Sequence, residues 1–571
     1  MARSRTEADR TRLQFGMALL GQGRMAEAEA IFRGLLRQNP ADADALYHLG
    51  LLMIATGKAE RGAGLIGRSI RLNPGFAPAY CNRGAALAAL KRPAEALACY
   101  DKAVALQPGF ADAHYNRGIL LGEIGRTEDA VRAFEAALSA QPAFPDALNG
   151  LGNLLNGMGR HQDALIRLDA AIGLEPVHAK AHCNRGNALL GLDQPAEALA
   201  SFDRALSLQP DMAEAWCNRG EALAELQQPL DAQRSFERAL ALRPDFAEAE
   251  FGLSLVLLAQ GDYAAGFRHH EARWKRLGFP PPRTFRRPPW LGRDNLAGRT
   301  LFIHPELFLG DMIQFCRYAK RAEAAGASVA LAAPAVLREV LQSLGAGISL
   351  LNEDEVPARY DLHCPLMSLP LAFATTLETV PHDVPYLHAD PARVSAWLGR
   401  IGRHGFRIGV CWHGSAQRQA LGRSFPVTML RDIAQLPGVR LISLQAGPGS
   451  EQRADLPSGM VIEDYPADTP DGGLRPFADD AAIMTVVDLV ISLDSAAAHL
   501  AGALGRPLWV ALRHVPDWRW GLAGQTTPWY PTARLFRQTR RNDWGAVFAA
   551  MHAALRERLA EPDAISAADT G

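Results

Sequence analysis

The chain has 571 residues, room for about two to four domains, and 48% of them are hydrophobic, ample for sizeable cores. Sixty Lys and Arg against 61 Asp and Glu give a formal net charge of −1, which argues against nucleic acid or an anionic membrane surface as the main partner. Seven cysteines (Cys81, Cys99, Cys183, Cys217, Cys316, Cys364 and Cys411) are scattered without a CxxC pair, which indicates neither a disulfide framework nor a zinc site.

In chain order, the amino-terminal stretch MARSRTEADRTRLQFGMALLGQGR has no long apolar core. No segment reaches the ~18 apolar residues of a membrane span. The expectation is a cytoplasmic protein without such a span. The first half then repeats itself. Proline recurs every 34 residues, at Pro40, Pro74, Pro108, Pro142, Pro176, Pro210 and Pro244. Ten residues after each of the first six stands a glycine: Gly50, Gly84, Gly118, Gly152, Gly186 and Gly220. The last unit has Ser254 there. Between prolines run two helical patterns, with small residues where paired helices must approach closely. This pattern resembles the tetratricopeptide repeat, whose period is 34, over residues 7–278, about eight units. An α-solenoid, a right-handed superhelix with a concave groove, is expected.

Asparagine keeps the same step. Asn82, Asn116, Asn184 and Asn218 share one repeat position; Asn153 and Asn187 share another. A side-chain amide both donates and accepts, so a ladder of them can grip an extended peptide whatever its sequence. The ladder resembles that of the O-linked N-acetylglucosamine transferases, which carry such repeats. The plainer alternative is that the repeats descend from a recent common copy. Arg83, Arg117, Arg185 and Arg219 stand beside the ladder. They are expected to pair with acids such as Asp101 and Asp203 in a structural role.

The repeat pattern fades by Gly278, and a Pro/Arg-rich linker, residues 279–295, follows. Short aliphatic strands then alternate with helices in two runs, 296–400 and 401–560, with a flexible tail at 561–571. The alternation predicts two doubly wound α/β lobes. In DLVISLDSAAAHLAGALGRPLWVAL (488–512) the run Leu489–Leu493 reads as a strand buried on both faces. Asp494 or Ser495 can cap the helix that follows, and Gly505 and Pro507 close it. Ligands in such units sit at the carboxyl end of the strand, against the helix N-terminus. Ser495 and His499 would face that side, unless His499 is a packed histidine on a capped helix.

This stretch, with ELFLGDMIQFCRYAKRAEAAGASV (306–329), GVCWHGS (409–415), RSFPVTMLRDIAQLPGVRLISLQAG (423–447), DWRW (517–520) and PWYP (528–531), resembles the heptosyltransferase-like glycosyltransferases. The form fused to tetratricopeptide repeats in bacteria is the one resembled, over about residues 285–545. The resemblance implies the two-lobed GT-B fold, with a nucleotide-sugar donor held by the carboxyl-terminal lobe.

Transfer of a sugar to a hydroxyl needs a base beside the hydroxyl and stabilisation of the leaving diphosphate. Ser495 and the backbone N–H groups of Ala496 and Ala497 would hold the diphosphate, with His499 one turn along and Asp494 orienting the loop. Arg423, on the loop after Trp412 and Gly414, is the candidate counter-charge on the donor side. No metal or other cofactor is expected. Asp311 takes the role of base that the family gives to the aspartate of its first GD turn; it could also cap the helix it opens. The family commonly reads E-Q-G-L-G-D where this chain has Glu306-Leu307-Phe308-Leu309-Gly310-Asp311. Phe308, where glycine allows close backbone approach, can narrow or block the acceptor site. Two functions follow. One is a metal-independent glycosyltransferase whose repeats recruit a protein or peptide acceptor. The other is a repeat scaffold with a non-catalytic glycosyltransferase-like domain.

Overall fold

The computed structural model describes residues 6–276, 278–280, 283–306, 308–414, 422–465 and 475–560. Leu307 and the expected tail 561–571 lie outside the described residues. The chain divides into two compact units, residues 1–222 and 223–571.

The first unit is an α-solenoid of helices joined by short turns. They are α1 (Glu7–Gly21), α2 (Met25–Gln38), α3 (Ala43–Ala55), α4 (Ala59–Leu72), α5 (Ala77–Ala89), α6 (Pro93–Leu106), α7 (Ala111–Glu123), α8 (Thr127–Ala140), α9 (Pro145–Gly157), α10 (His161–Leu174), α11 (Ala179–Gly191), α12 (Pro195–Leu208) and most of α13 (Ala213–Glu225). The repeated glycine has a packing reason. A Cβ on Gly50 would come within 2.6 Å of Ile66, on Gly84 within 2.7 Å of Tyr100, and on Gly186 within 2.4 Å of Phe202. The large side chain lies 16 residues on, in the second helix of the same pair, and only glycine leaves it room. A second 34-residue register lies in the turn within each pair. Gly57, Lys91, Gly125, Gly159 and Asp193 all have φ between 58° and 78°. That left-handed conformation suits glycine and strains Lys91 and Asp193.

The second unit opens with the end of α13, then α14 (Pro229–Leu242), α15 (Ala247–Gln260), α16 (Tyr263–His270) and a 3₁₀ turn, Glu271–Lys275. The division at 222/223 falls ahead of the boundary expected near Gly278. The cause is that the last helices pack into the α/β region. Tyr263 Oη accepts from Trp529 Nε1 at 3.1 Å, Phe267 meets Trp518 edge to face at 5.5 Å, and Arg273 Nε binds Glu306 Oε2 at 2.8 Å. The expected linker has neither helix nor strand among its described residues, yet it is anchored. Trp290 is buried, its N–H donates to the His363 carbonyl at 2.7 Å, and the Phe285 ring lies 4.1 Å from that of His363.

Two parallel sheets follow. The first joins β1 (Thr300–His304), β2 (Ser328–Ala333), β3 (Ile348–Asn352) and β4 (Leu362–Pro365) in the order β3-β2-β1-β4. Its helices are α17 (Leu309–Phe315), α18 (Arg317–Ala324), α19 (Ala335–Leu341) and α20 (Leu369–Ala372). After α21 (Pro391–Ile401) the second sheet joins β5 (Phe406–Cys411), β6 (Val439–Ser443), β7 (Ile462–Glu463), β8 (Leu489–Leu493), β9 (Leu508–Leu512) and β10 (Ala533–Arg537). Its order is β10-β9-β8-β5-β6-β7. The helices are α22 (Arg431–Ala434), α23 (Phe477–Val486), α24 (Ala496–Ala503) and α25 (Trp544–Ala560). Strand β8 is buried along its whole length, Ser492 included, as suits a central parallel strand covered on both faces. Strand order reverses between β1 and β4 in one sheet and between β5 and β8 in the other. Crevices for ligands form at such switch points, beyond the carboxyl ends of the strands. The loops after β1, β5 and β8 leave from there.

Candidate functional site

The loop after β1 enters α17 through Phe308, the residue at the N-cap position. Asp311 is therefore the third residue of the helix and does not cap it. Gly310 lies against α24: a Cβ there would stand 3.0 Å from His499 Cδ2 and 3.8 Å from Ala496 Cα. The GD turn after β1 and the DSAAAH turn after β8 thus meet. Phe308 is 39% exposed; Leu307 beside it is outside the described residues.

Around Asp311 runs a chain of ion pairs. Arg519 binds the Asp311 carboxylate through one terminal nitrogen and Asp517 through the other, at 2.9 Å. Asp517 also pairs with Arg423 at 3.6 Å, and Arg423 with Asp494 at 3.2 Å. Burial pushes the Asp311 carboxyl up to about 6, against the pull of Arg519. Burial raises Asp494 too, opposed first by Arg423. For Asp517 burial is outweighed by Arg519 and Arg423, which hold it down at about 2. The two guanidiniums of this cluster are thus already engaged by three carboxylates. Arg423, expected to await a phosphate, is tied to Asp494 and Asp517.

On α24, Ser495 is the N-cap residue, but its hydroxyl does not bond the first turn. It lies 3.0 Å from the Ser492 hydroxyl instead. The first-turn amides therefore carry no side-chain cap, and Ser495, Ala496 and Ala497 are half-buried rather than sealed. His499 is buried. Its Nδ1 lies 2.9 Å from Tyr530 Oη, and its ring stacks on Trp520 at 5.5 Å. Burial, helped by Arg519, lowers its imidazole to about 3. It is a neutral packed ring, so it brings no charge to a phosphate. Trp412 is fully buried; its Nε1 donates to the Gly449 carbonyl at 3.0 Å. Gly414 donates its N–H to Ser424 Oγ at 3.1 Å, and residues 415–421 after it are not described. Arg519 and Asp517 join the site from DWRW without a role assigned by the sequence, where two charges inside an aromatic segment are the signal that points to them.

In the first unit the asparagines bond from repeat to repeat. Asn82 Nδ2 donates to Tyr47 Oη at 2.7 Å and Asn184 Nδ2 to Asn149 Oδ1 at 2.8 Å. Asn218 Nδ2 donates to Asn187 Oδ1 at 2.7 Å, and Asn116 Nδ2 points to Cys81 Sγ at 3.6 Å. Each of these amides spends a donor inside the solenoid, which leaves part of its hydrogen-bonding capacity for a peptide. Asn153 is exposed. The arginines pair as expected: Arg117 with Asp101 at 2.7 Å, Arg185 with Asp169 at 2.7 Å and Arg219 with Asp203 at 2.6 Å. For Arg83, Gly67 stands where the others have the acid, and its guanidinium lies against that glycine. Among the described residues no helix is long and apolar enough to cross a membrane.

Family models described as tetratricopeptide repeat match residues 77–110 and 179–212, and 13–75, 115–179 and 217–276. Protein FlbA of Caulobacter vibrioides is 27% identical over 337 residues, 54% of this chain and 55% of that protein. The chain thus spans about half the length of that relative. Among solved structures, YrrB, described as a TPR protein with an unusual peptide-binding site, is 28% identical with TM-score 0.29, covering 33% of this chain and 96% of its own. A tetratricopeptide repeat protein from Parabacteroides merdae is 17% identical with TM-score 0.37, covering 44% and 100%. The Cut9–Hcn1 hetero-tetramer of the APC/C is 19% identical with TM-score 0.38, covering 42% and 48%. The chain carries tetratricopeptide repeats, which support a protein-interaction role.

Proposed function

We propose that the second unit is a metal-independent glycosyltransferase of GT-B type that moves a sugar from a nucleotide-sugar to a protein or peptide held by the repeats. One observation carries this reading: Asp311, after β1 of one sheet, and the uncapped start of α24, after β8 of the other, are brought together at two switch points. The uncapped amides of Ala496 and Ala497, with the helix dipole behind them, suit a diphosphate. A carboxyl raised to about 6 is largely ionised at neutral pH and still basic enough to take a hydroxyl proton. The half-buried Asn82, Asn116, Asn184 and Asn218 would offer carbonyl oxygens to the acceptor's backbone N–H groups.

The experiment is a melting-shift screen of the full chain with the diphosphates and sugar conjugates of uridine, guanosine, adenosine and cytidine. A ligand at a hundred times its Kd should stabilise the fold by about 2.7 kcal/mol. A nucleotide that shifts the wild type but not Ala497→Pro, which removes one first-turn amide, supports the site on α24. No shift with any nucleotide overturns the reading.

A second reading is a repeat scaffold with a non-catalytic α/β unit. The engagement of Arg423 and Arg519 by Asp494, Asp517 and Asp311 favours it, because neither guanidinium waits for a phosphate.

A further inference from the structure

Arg519 joins loops that belong to different sheets. Its Nε donates to Gln314 Oε1 at 2.6 Å and one terminal nitrogen to Asp311, both on α17. The other donates to Asp517 Oδ1 at 2.9 Å, on its own loop between β9 and β10. All three guanidinium nitrogens are engaged, and the side chain is 9% exposed. The guanidinium also lies 4.6 Å from the ring of Trp518 and 5.5 Å from that of Phe315. Trp518 packs against Phe267 and Tyr263 of α16. The last repeat therefore braces the segment from which Arg519 reaches Asp311.

We propose that Arg519 is the positioning residue of this site: two nitrogens of its fork are anchored on Gln314 and Asp517, so that the third fixes the Asp311 carboxylate and balances the charge it carries into the buried turn. The proposal deepens the reading of Asp311 as base and rests on it. The charged groups facing Asp311 are Arg519 and Asp517 from the β9–β10 loop, Glu306 from the loop after β1 and Arg273 from the 3₁₀ turn. His499 of α24 lies against the same turn as a neutral ring. Glu306 is matched by Arg273 at 2.8 Å. Arg519 is thus the guanidinium bonded to Asp311 itself. A neighbouring opposite charge is worth about one to three pH units on a carboxyl. Lysine, a point charge on a flexible stem, can replace the charge but not the fork.

The test is the pH dependence of melting, from pH 5 to 8.5, of the full chain as wild type, Arg519→Gln, Arg519→Lys, Asp311→Asn and the double variant Asp311→Asn/Arg519→Gln. A carboxyl held above its unfolded pKa destabilises the fold as pH rises from the unfolded to the folded value, and no further beyond. In the wild type that loss ends near pH 6, the folded value. In Arg519→Gln it should extend by about one pH unit or more, so melting keeps falling between pH 6.5 and 8 where the wild type is level. Arg519→Lys should fall between the two, and the double variant should be level. Where transfer is measurable, the acid limb of its pH–rate profile should move up with Arg519→Gln and less with Arg519→Lys. Parallel melting profiles for the wild type and both Arg519 variants overturn the proposal, as does a fall that persists in the double variant. Absence of transfer by the wild type with every donor removes the base reading instead, and the melting profiles still decide the pairing.

Discussion

The guanidinium of Arg519 is bonded to the carboxylate of Asp311, 208 residues earlier in the chain. The pair links the loop between β9 and β10 of one sheet to the first turn of α17 beyond the other. It puts a buried cluster of charges where the loops after β1 and β8 meet.

His499 gives the first expectation. Its folded value is lowered to about 3, against about 6.5 unfolded. The unfolded chain therefore binds the extra proton between those values, and stability is full above about pH 6.5 and falls as pH drops toward 3, by up to about 1.4 kcal/mol per pH unit. His499→Gln should lessen the fall in melting temperature between pH 6.5 and 4, the rest coming from His270 and His304, which burial also lowers, and should leave any nucleotide-sugar affinity at pH 6.5–8 as in the wild type. A wild-type affinity that rises tenfold as pH falls from 8 to 6, with the rise lost in His499→Gln, would restore a charged histidine to the site.

Lys91 and Asp193 give the second. Both hold φ near 60° in turns where Gly57, Gly125 and Gly159 stand in other repeats. Lys91→Gly should stabilise the solenoid by about 1 kcal/mol, the cost of a left-handed non-glycine residue less glycine's unfolded entropy. Asp193→Gly should gain less, because Asp tolerates that region better. Urea unfolding checks this. Destabilisation by Lys91→Gly would contradict it.

Gly186 gives the third. Its Cβ would fall 2.4 Å from the Phe202 ring, so Gly186→Ala should cost about 1–3 kcal/mol by overpacking. Adding Phe202→Leu should recover part of that loss. A neutral Gly186→Ala would mean that the helix pair is looser than described.

The fourth concerns the boundary. A fragment of residues 223–571 should fold, because it keeps Tyr263 on Trp529, Phe267 on Trp518 and Arg273 on Glu306. A fragment starting at 279 leaves those tryptophans uncovered and Glu306 buried without its partner, a loss of about 3–5 kcal/mol for the ion pair alone. It should aggregate or melt far lower. Equal melting of the two fragments would move the boundary back to Gly278.

Much of this was legible because it is local. The 34-residue spacing of proline and glycine reports helix pairs that touch within one repeat, and Leu489–Leu493 announces a strand buried on both faces. What was hidden depends on distant or irregular partners. Lys91, Asp193 and Gln227, the last with φ 56° one repeat further on, interrupt the glycine pattern of the turns and so conceal that register. Tyr263 and Phe267 sit in a repeat helix, yet their partners Trp529 and Trp518 lie more than 200 residues on. His499 looks free on its helix until Tyr530 and Trp520 fold over it. Arg423 reads as a waiting positive charge because its carboxylate partners are assembled by the sheet order.

The most direct measurement is the transfer rate of Asp311→Asn relative to wild type, with whichever nucleotide-sugar shifts the melting temperature and a peptide or protein acceptor. An amide cannot take the hydroxyl proton, so transfer should fall by about 10²–10⁴-fold while the donor still produces its melting shift. Transfer by Asp311→Asn at the wild-type rate would contradict the assignment of Asp311 as the base.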